Sequence, residues 1–108
     1  MSHHDFQGFV PEVDDETLAR EKQKARDLRG SQWWKNKRAT GVCHYCRQRF
    51  PARELTMDHI IPLVRGGRSV KSNLVPCCKE CNSRKKYLLP QEWEEYMASL
   101  SSKGDPGK

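Results

Sequence analysis

Apolar and polar positions along this chain fall into short, separate periods, and each period predicts one element. Residues 1–13 scatter Phe6, Phe9 and Val10 among Gly8 and Pro11 without a period, as in an extended arm that packs Phe6 or Phe9 onto the body. From Asp14 or Asp15, either of which can cap, a helix is expected to run to Arg29 and stop at Gly30, with Glu16 favourable at its positive end. Its apolar stripe is narrow: Leu18, Ala25 and Leu28, helped by the aliphatic stem of Lys22. Ser31 can cap a second helix through about Ala39, bringing Trp33 and Trp34 inward as core anchors. Residues 55–61, apolar and β-branched, predict a strand ended by Pro62, followed by an open loop at Arg65-Gly66-Gly67-Arg68. Residues 73–76 read as a short return strand, confined to a sheet edge by Pro76. A helix is expected from Cys78 to about Lys86, and Pro90 suits the first turn of a last one. There Trp93, Tyr96, Met97 and Leu100 recur at i, i+3, i+4 and i+7 as a packing face, before a tail at residues 101–108 expected to fray.

Composition adds a constraint. Of 108 residues, 35% are hydrophobic and 31% charged, with three each of Phe, Trp and Tyr. That excludes a large α/β enzyme fold, and a core so thin needs a disulfide, metal or partner. No apolar run approaches the roughly 20 residues that span a membrane. The start of the chain lacks the basic and apolar regions of a signal peptide, so the expected compartment is the cytoplasm, where cysteines stay reduced. The net charge of +6 is unevenly spread. Residues 1–18 carry five acids and no Lys or Arg, whereas residues 19–86 carry 18 Lys and Arg against five acids. A middle segment of that kind attracts polyanions, although a solvated basic surface would have the same composition.

Cys43-His44-Tyr45-Cys46 and Cys78-Lys79-Glu80-Cys81 are two C-x2-C turns. Each lets two thiolates converge on one ion, and together they complete a tetrahedral shell suited to structural Zn2+. An iron site or redox dithiols are the alternatives. Cys77, the fifth cysteine, reads as a small buried residue, and His44 as an exposed turn position.

Between the turns lie Asp58-His59-Ile60-Ile61-Pro62-Leu63, Gly66-Gly67 and Ser72-Asn73-Leu74, and the second turn continues into Asn82 and Lys85. This order of residues resembles the HNH endonucleases of the ββα-metal nuclease superfamily over about residues 41–87. The resemblance implies a small α+β fold: two antiparallel strands and a helix around one catalytic divalent ion, stapled by the four cysteines and flanked by N-terminal and C-terminal helices. The expected organisation is an arm with basic helices over residues 1–40, the ββα core over 41–90, and a last helix and tail over 91–108, forming one unit. The third signature position is Asn82 in place of His, a variant known in the family, so the triplet is His59, Asn73 and Asn82.

The residue types suit phosphodiester hydrolysis. His59, titrating near neutral pH, can deprotonate water as general base. Asp58 and the amide oxygen of Asn82 are hard ligands for Mg2+ or Mn2+, leaving room on the ion for phosphate and water. Asn73 is expected to hold His59 or its neighbourhood in line, and Lys85, with Arg84 or Lys86, to contact phosphate. The expected partner is DNA, not a membrane, with a homodimer left open. A zinc-stabilised nucleic-acid-binding module and a purely structural zinc domain are the other readings, and neither requires this set of residues. One tension follows from strand geometry: Asp58 and His59, adjacent in a strand, point to opposite faces, so a bulge or break is expected there, and a regular ladder through both would undermine a shared site.

Overall fold

The computed structural model describes residues 13–103. The expected docking of Phe6 or Phe9 therefore lies outside the described residues. Helix α1, Asp15–Arg29, starts where Asp14 accepts the Thr17 N–H at 2.8 Å and ends at Gly30. Helix α2, Gln32–Ala39, starts where Ser31 accepts the Trp34 N–H at 3.3 Å. Both caps satisfy amides that a helix start leaves without partners. Trp34 is buried as expected, but Trp33 is not: successive helical side chains are about 100° apart, so only one tryptophan faces the core. Lys37 and Lys71 sit over the Trp33 ring instead, at 5.6 and 5.7 Å from its centroid.

Strand β1, Leu55–His59, pairs antiparallel with β2, Leu74–Cys78, in a register that sets Leu55 opposite Cys78 and His59 opposite Leu74. The ladder is regular through both Asp58 and His59, so the expected irregularity is absent. β1 also stops two residues before the expected end. The side chain of Asn73 takes both the N–H and the carbonyl of Ile61, at 2.9 and 3.1 Å, and draws the chain off the ladder. Every residue of β2 is buried. Its outer edge is covered by the first cysteine turn, where the His44 N–H donates to the Pro76 carbonyl at 2.9 Å.

The connection between the strands depends on two glycines. Gly66 adopts φ 94°, a left-handed conformation that costs glycine least. At Gly67 a Cβ would lie 1.8 Å from the Ile61 carbonyl oxygen, so no side chain fits. Arg65 leaves this loop to form a two-pronged ion pair with Glu92 at 3.0 and 3.1 Å. Helix α3, Lys79–Lys85, follows β2 directly and ends at Lys86, which takes an unusual φ of 45°. Helix α4, Pro90–Lys103, runs three residues into the stretch expected to fray. Its stripe is only partly packed: Trp93 is buried against Cys43, Leu55, Cys77, Cys78 and Cys81, while Met97 is exposed. Among the described residues, no helix is long and apolar enough to cross a membrane.

α1 docks on the loop through a residue the hydrophobic pattern does not include. Lys22 is exposed, whereas Glu21 is 2% exposed and lies on the Leu18–Ala25–Leu28 stripe. Its carboxylate accepts the Ser69 N–H at 2.6 Å, Arg68 Nε at 3.2 Å and Lys24 Nζ at 3.3 Å. The Ser69 amide is the largest influence holding this carboxyl below its ordinary value of 4.5, against the opposing effect of burial. A depressed folded value means that Glu21 contributes stability above about pH 4.5 and loses it as pH falls through the folded value. The melting-temperature gap between wild type and Glu21→Gln is therefore expected to shrink below pH 4.5. A gap that stays constant from pH 7 to the acid limit of folding would contradict this linkage.

Candidate active site and metal centre

The two cysteine turns meet as the sequence predicts. One sulfur from each of Cys43, Cys46, Cys78 and Cys81 lies within 4.8 Å of the others, and all four are free thiols. Cys43 precedes the tight turn in which Arg47 takes φ 64°, and Cys78 caps α3, its sulfur accepting the Cys81 N–H at 3.5 Å. Burial tends to raise the Cys43 thiol, but the N–H groups of Cys46, Cys78 and Tyr45 outweigh it and bring the group down to about 7. Two of these contacts are 3.5 Å from Cys78 and 3.4 Å from Tyr45. Burial raises the thiols of Cys46 and Cys81. Four thiolates this close repel one another unless a cation sits among them, so the cluster fits a structural zinc site. Cys77 is fully buried but outside the cluster. His44 is half-buried, with its ring edge-on to Tyr45 at 4.9 Å, and is also outside the cluster.

The second site is a cleft of about 610 Å³ beside β1, bordered by Met57, Asp58 and His59, by Asn82 and Lys86 around α3, and by Leu18 and Lys22 of α1. β1 has no strand partner on its other edge among the described residues. The regular ladder counts against Asp58 and His59 sharing one ion by strand geometry, although both border this cleft. The two side chains still turn to different partners. Asp58 Oδ2 accepts from the Tyr45 hydroxyl at 2.6 Å and pairs with Lys85 Nζ at 3.2 Å. His59 Nε2 lies 2.9 Å from Ser69 Oγ. Burial lowers the His59 pKa from its ordinary value, with Asp58 and Glu21 opposing the shift. Burial also pushes the Tyr45 phenol far up, and its bond to Asp58 adds to this.

The donor set left over suits a hard cation. Among the described residues Asp58 Oδ1 has no hydrogen-bond partner, and Asn82 spends its Nδ2 on Thr56 Oγ1 at 3.1 Å, leaving its amide oxygen. Asn73 does not touch the His59 ring. It clasps the chain after His59, with the Arg68 carbonyl accepting from its Nδ2 at 2.9 Å in addition to the two Ile61 bonds.

The expected phosphate contacts separate three ways. Lys85 is corrected: it is completely buried, donates to the His59 carbonyl at 3.1 Å, pairs with Asp58 and lies 5.4 Å from the centre of the Tyr45 ring. A cation so enclosed neutralises a buried carboxylate and cannot reach a substrate. Arg84 is exposed, pairs with Glu80 one turn back at 2.9 Å and borders a separate cavity beside the thiols. Lys86 is exposed and borders the cleft. The sequence reading passed over Tyr45, Ser69 and Glu21. Glu21 alone left a signal, a charged residue at i+3 from Leu18 on an apolar stripe.

Residues 43–96 match a family model described as HNH endonuclease, a span covering half of the chain that includes both cysteine turns, the cleft residues of β1 and α3, and the start of α4. No curated protein matches the chain.

Purified chain is expected to hold one zinc ion, and stripping it, or replacing Cys43 or Cys78 with Ser, is expected to abolish cooperative thermal unfolding. An unchanged melting curve after complete zinc removal would refute a stapling role. Lys85→Met, which strands the Asp58 carboxylate, is expected to cost about 3 kcal/mol or more in denaturant titration. Lys86→Ala is expected to stay within about 0.5 kcal/mol of wild type, and equal losses for the two lysines would argue against their division of roles.

Proposed function

The chain belongs to the HNH endonuclease family, and on that premise we propose that it hydrolyses phosphodiester bonds in DNA, with His59 as general base and one Mg2+ or Mn2+ ion held by Asp58 and Asn82. The observation that carries this reading is that His59, Asp58, Asn82 and Lys86 all border the same cleft. His59 takes a proton from a water molecule beside the scissile phosphate. The resulting hydroxide attacks phosphorus, the bond to the leaving oxygen breaks, and that oxygen takes a proton from solvent. Asp58 Oδ1 and the Asn82 amide oxygen offer two hard donors, few enough to leave positions for phosphate and water. When bound there, the ion neutralises phosphate charge and stabilises the leaving oxygen. Lys86 adds a cation on the cleft wall, and the basic surfaces of α1 and α2 suit the rest of the nucleic-acid backbone. The zinc cluster is too closed for substrate and serves the fold.

Zinc-loaded protein is expected to nick or linearise supercoiled plasmid when Mg2+ or Mn2+ is added, and to be inactive without either. His59→Ala is expected to lower the cleavage rate by about a hundredfold or more, with DNA binding and melting temperature retained. Full cleavage by that variant would remove His59 from the mechanism. The engagement of Asp58 by Lys85 favours one second reading, a DNA-binding zinc module without catalysis. Wild-type protein that binds DNA but cuts it with no divalent ion tried would select that reading.

A further inference from the structure

Glu21 and Ser69 have no part in the proposed chemistry, yet they form the most completely buried polar contact beside His59. Ser69 is 3% exposed and Glu21 2%. α1, which carries Glu21, lies outside the segment matched by the family model. The Glu21 carboxylate accepts the Ser69 N–H at 2.6 Å, and the Glu21 main-chain carbonyl accepts the Ser69 hydroxyl at 2.6 Å. The same hydroxyl oxygen lies 2.9 Å from His59 Nε2.

One hydroxyl carries one proton, and a carbonyl oxygen can only accept. At 2.6 Å the Ser69 proton must point at the Glu21 carbonyl, since otherwise two acceptor oxygens would face each other without a proton between them. Ser69 Oγ can then only accept from His59, so Nε2 carries the ring proton. In the neutral ring the lone pair is thereby on Nδ1, which has no hydrogen-bond partner among the described residues. We propose that Glu21, acting through Ser69, is a positioning residue of the cleavage site that holds His59 in the Nε2–H form, with Nδ1 as its basic nitrogen. The carboxylate grips the Ser69 backbone, with Arg68 and Lys24 balancing its charge, so that the hydroxyl reaches no other acceptor. A helix docked from outside the ββα element thus sets which nitrogen faces the water. The catalytic consequence rests on the reading of His59 as general base, whereas the tautomer itself does not.

The test uses full-length, zinc-loaded protein and nitrogen-15 NMR of the neutral imidazoles, with His59 identified by its loss in His59→Gln. Wild type is expected to show His59 almost wholly in the Nε2–H form. Ser69→Ala and Glu21→Ala are expected to give a mixture of tautomers, and Ser69→Thr, which keeps the hydroxyl, to retain the wild-type form. In single-turnover plasmid cleavage Ser69→Ala is expected to be slower by about tenfold, with unchanged DNA affinity and recovery in Ser69→Thr. An Nδ1–H ring in wild type overturns the proposal whether or not any variant folds, and so does a wild-type tautomer preserved in Ser69→Ala. Wild type with the Nε2–H form and no cleavage would reject the nuclease reading while leaving this assignment standing. Cleavage by a wild type of mixed tautomer would do the reverse.

Discussion

The convergence of four sulfurs from two turns far apart in the chain is the constraint on which the rest depends. The first turn covers the outer edge of β2, and the second is the junction of β2 with α3. Joining them closes the strand pair into a unit and fixes where α3 starts, and hence where Asn82 and Lys86 meet β1. The compact cluster around it consists mostly of cysteines, with Leu55 and Trp93 beside them. Burial of so few apolar groups offsets little chain entropy, and binding one metal ion can contribute as much as many buried side chains.

A second feature is the placement of buried charge around the cleft. Asp58 with Lys85, and Glu21 with Arg68 and Lys24, each put a carboxylate out of solvent next to cations. Such pairs are not strong sources of net stability, because desolvation consumes most of the attraction. What they contribute is geometry. A charged group that can be satisfied in only one arrangement fixes its neighbours: Lys85 ties the end of α3 to the His59 carbonyl, and Glu21 ties α1 to the loop at Ser69. The cleft is thereby framed by three separate segments.

Much of the architecture was legible because its causes are local. Asp14 and Ser31 cap the helices expected of them, since a cap depends on residues three positions apart. Gly66 and Gly67 mark the loop because the required backbone excludes other residues wherever the rest of the chain lies. The four-sulfur cluster followed from C-x2-C spacing, which brings two sulfurs together within a single turn. Two of the departures involve surroundings distant in sequence. Trp33 was expected inside and stays half-exposed beside Lys71, and the expected break at Asp58 and His59 gave way to a regular ladder beside an open edge.

By itself, the sequence determined most of the helices, the strand pair and the convergence of four thiols, because spacing and backbone conformation carry that information. Only the tertiary structure decided that Lys85 neutralises Asp58 while Lys86 borders the cleft. Likewise, only the tertiary structure showed that Glu21 is buried and bonded to the residue next to His59. Three consecutive basic residues look alike as sequence. Their roles diverge because burial and pairing depend on what other segments bring within about 3 Å, and neither composition nor periodicity encodes that.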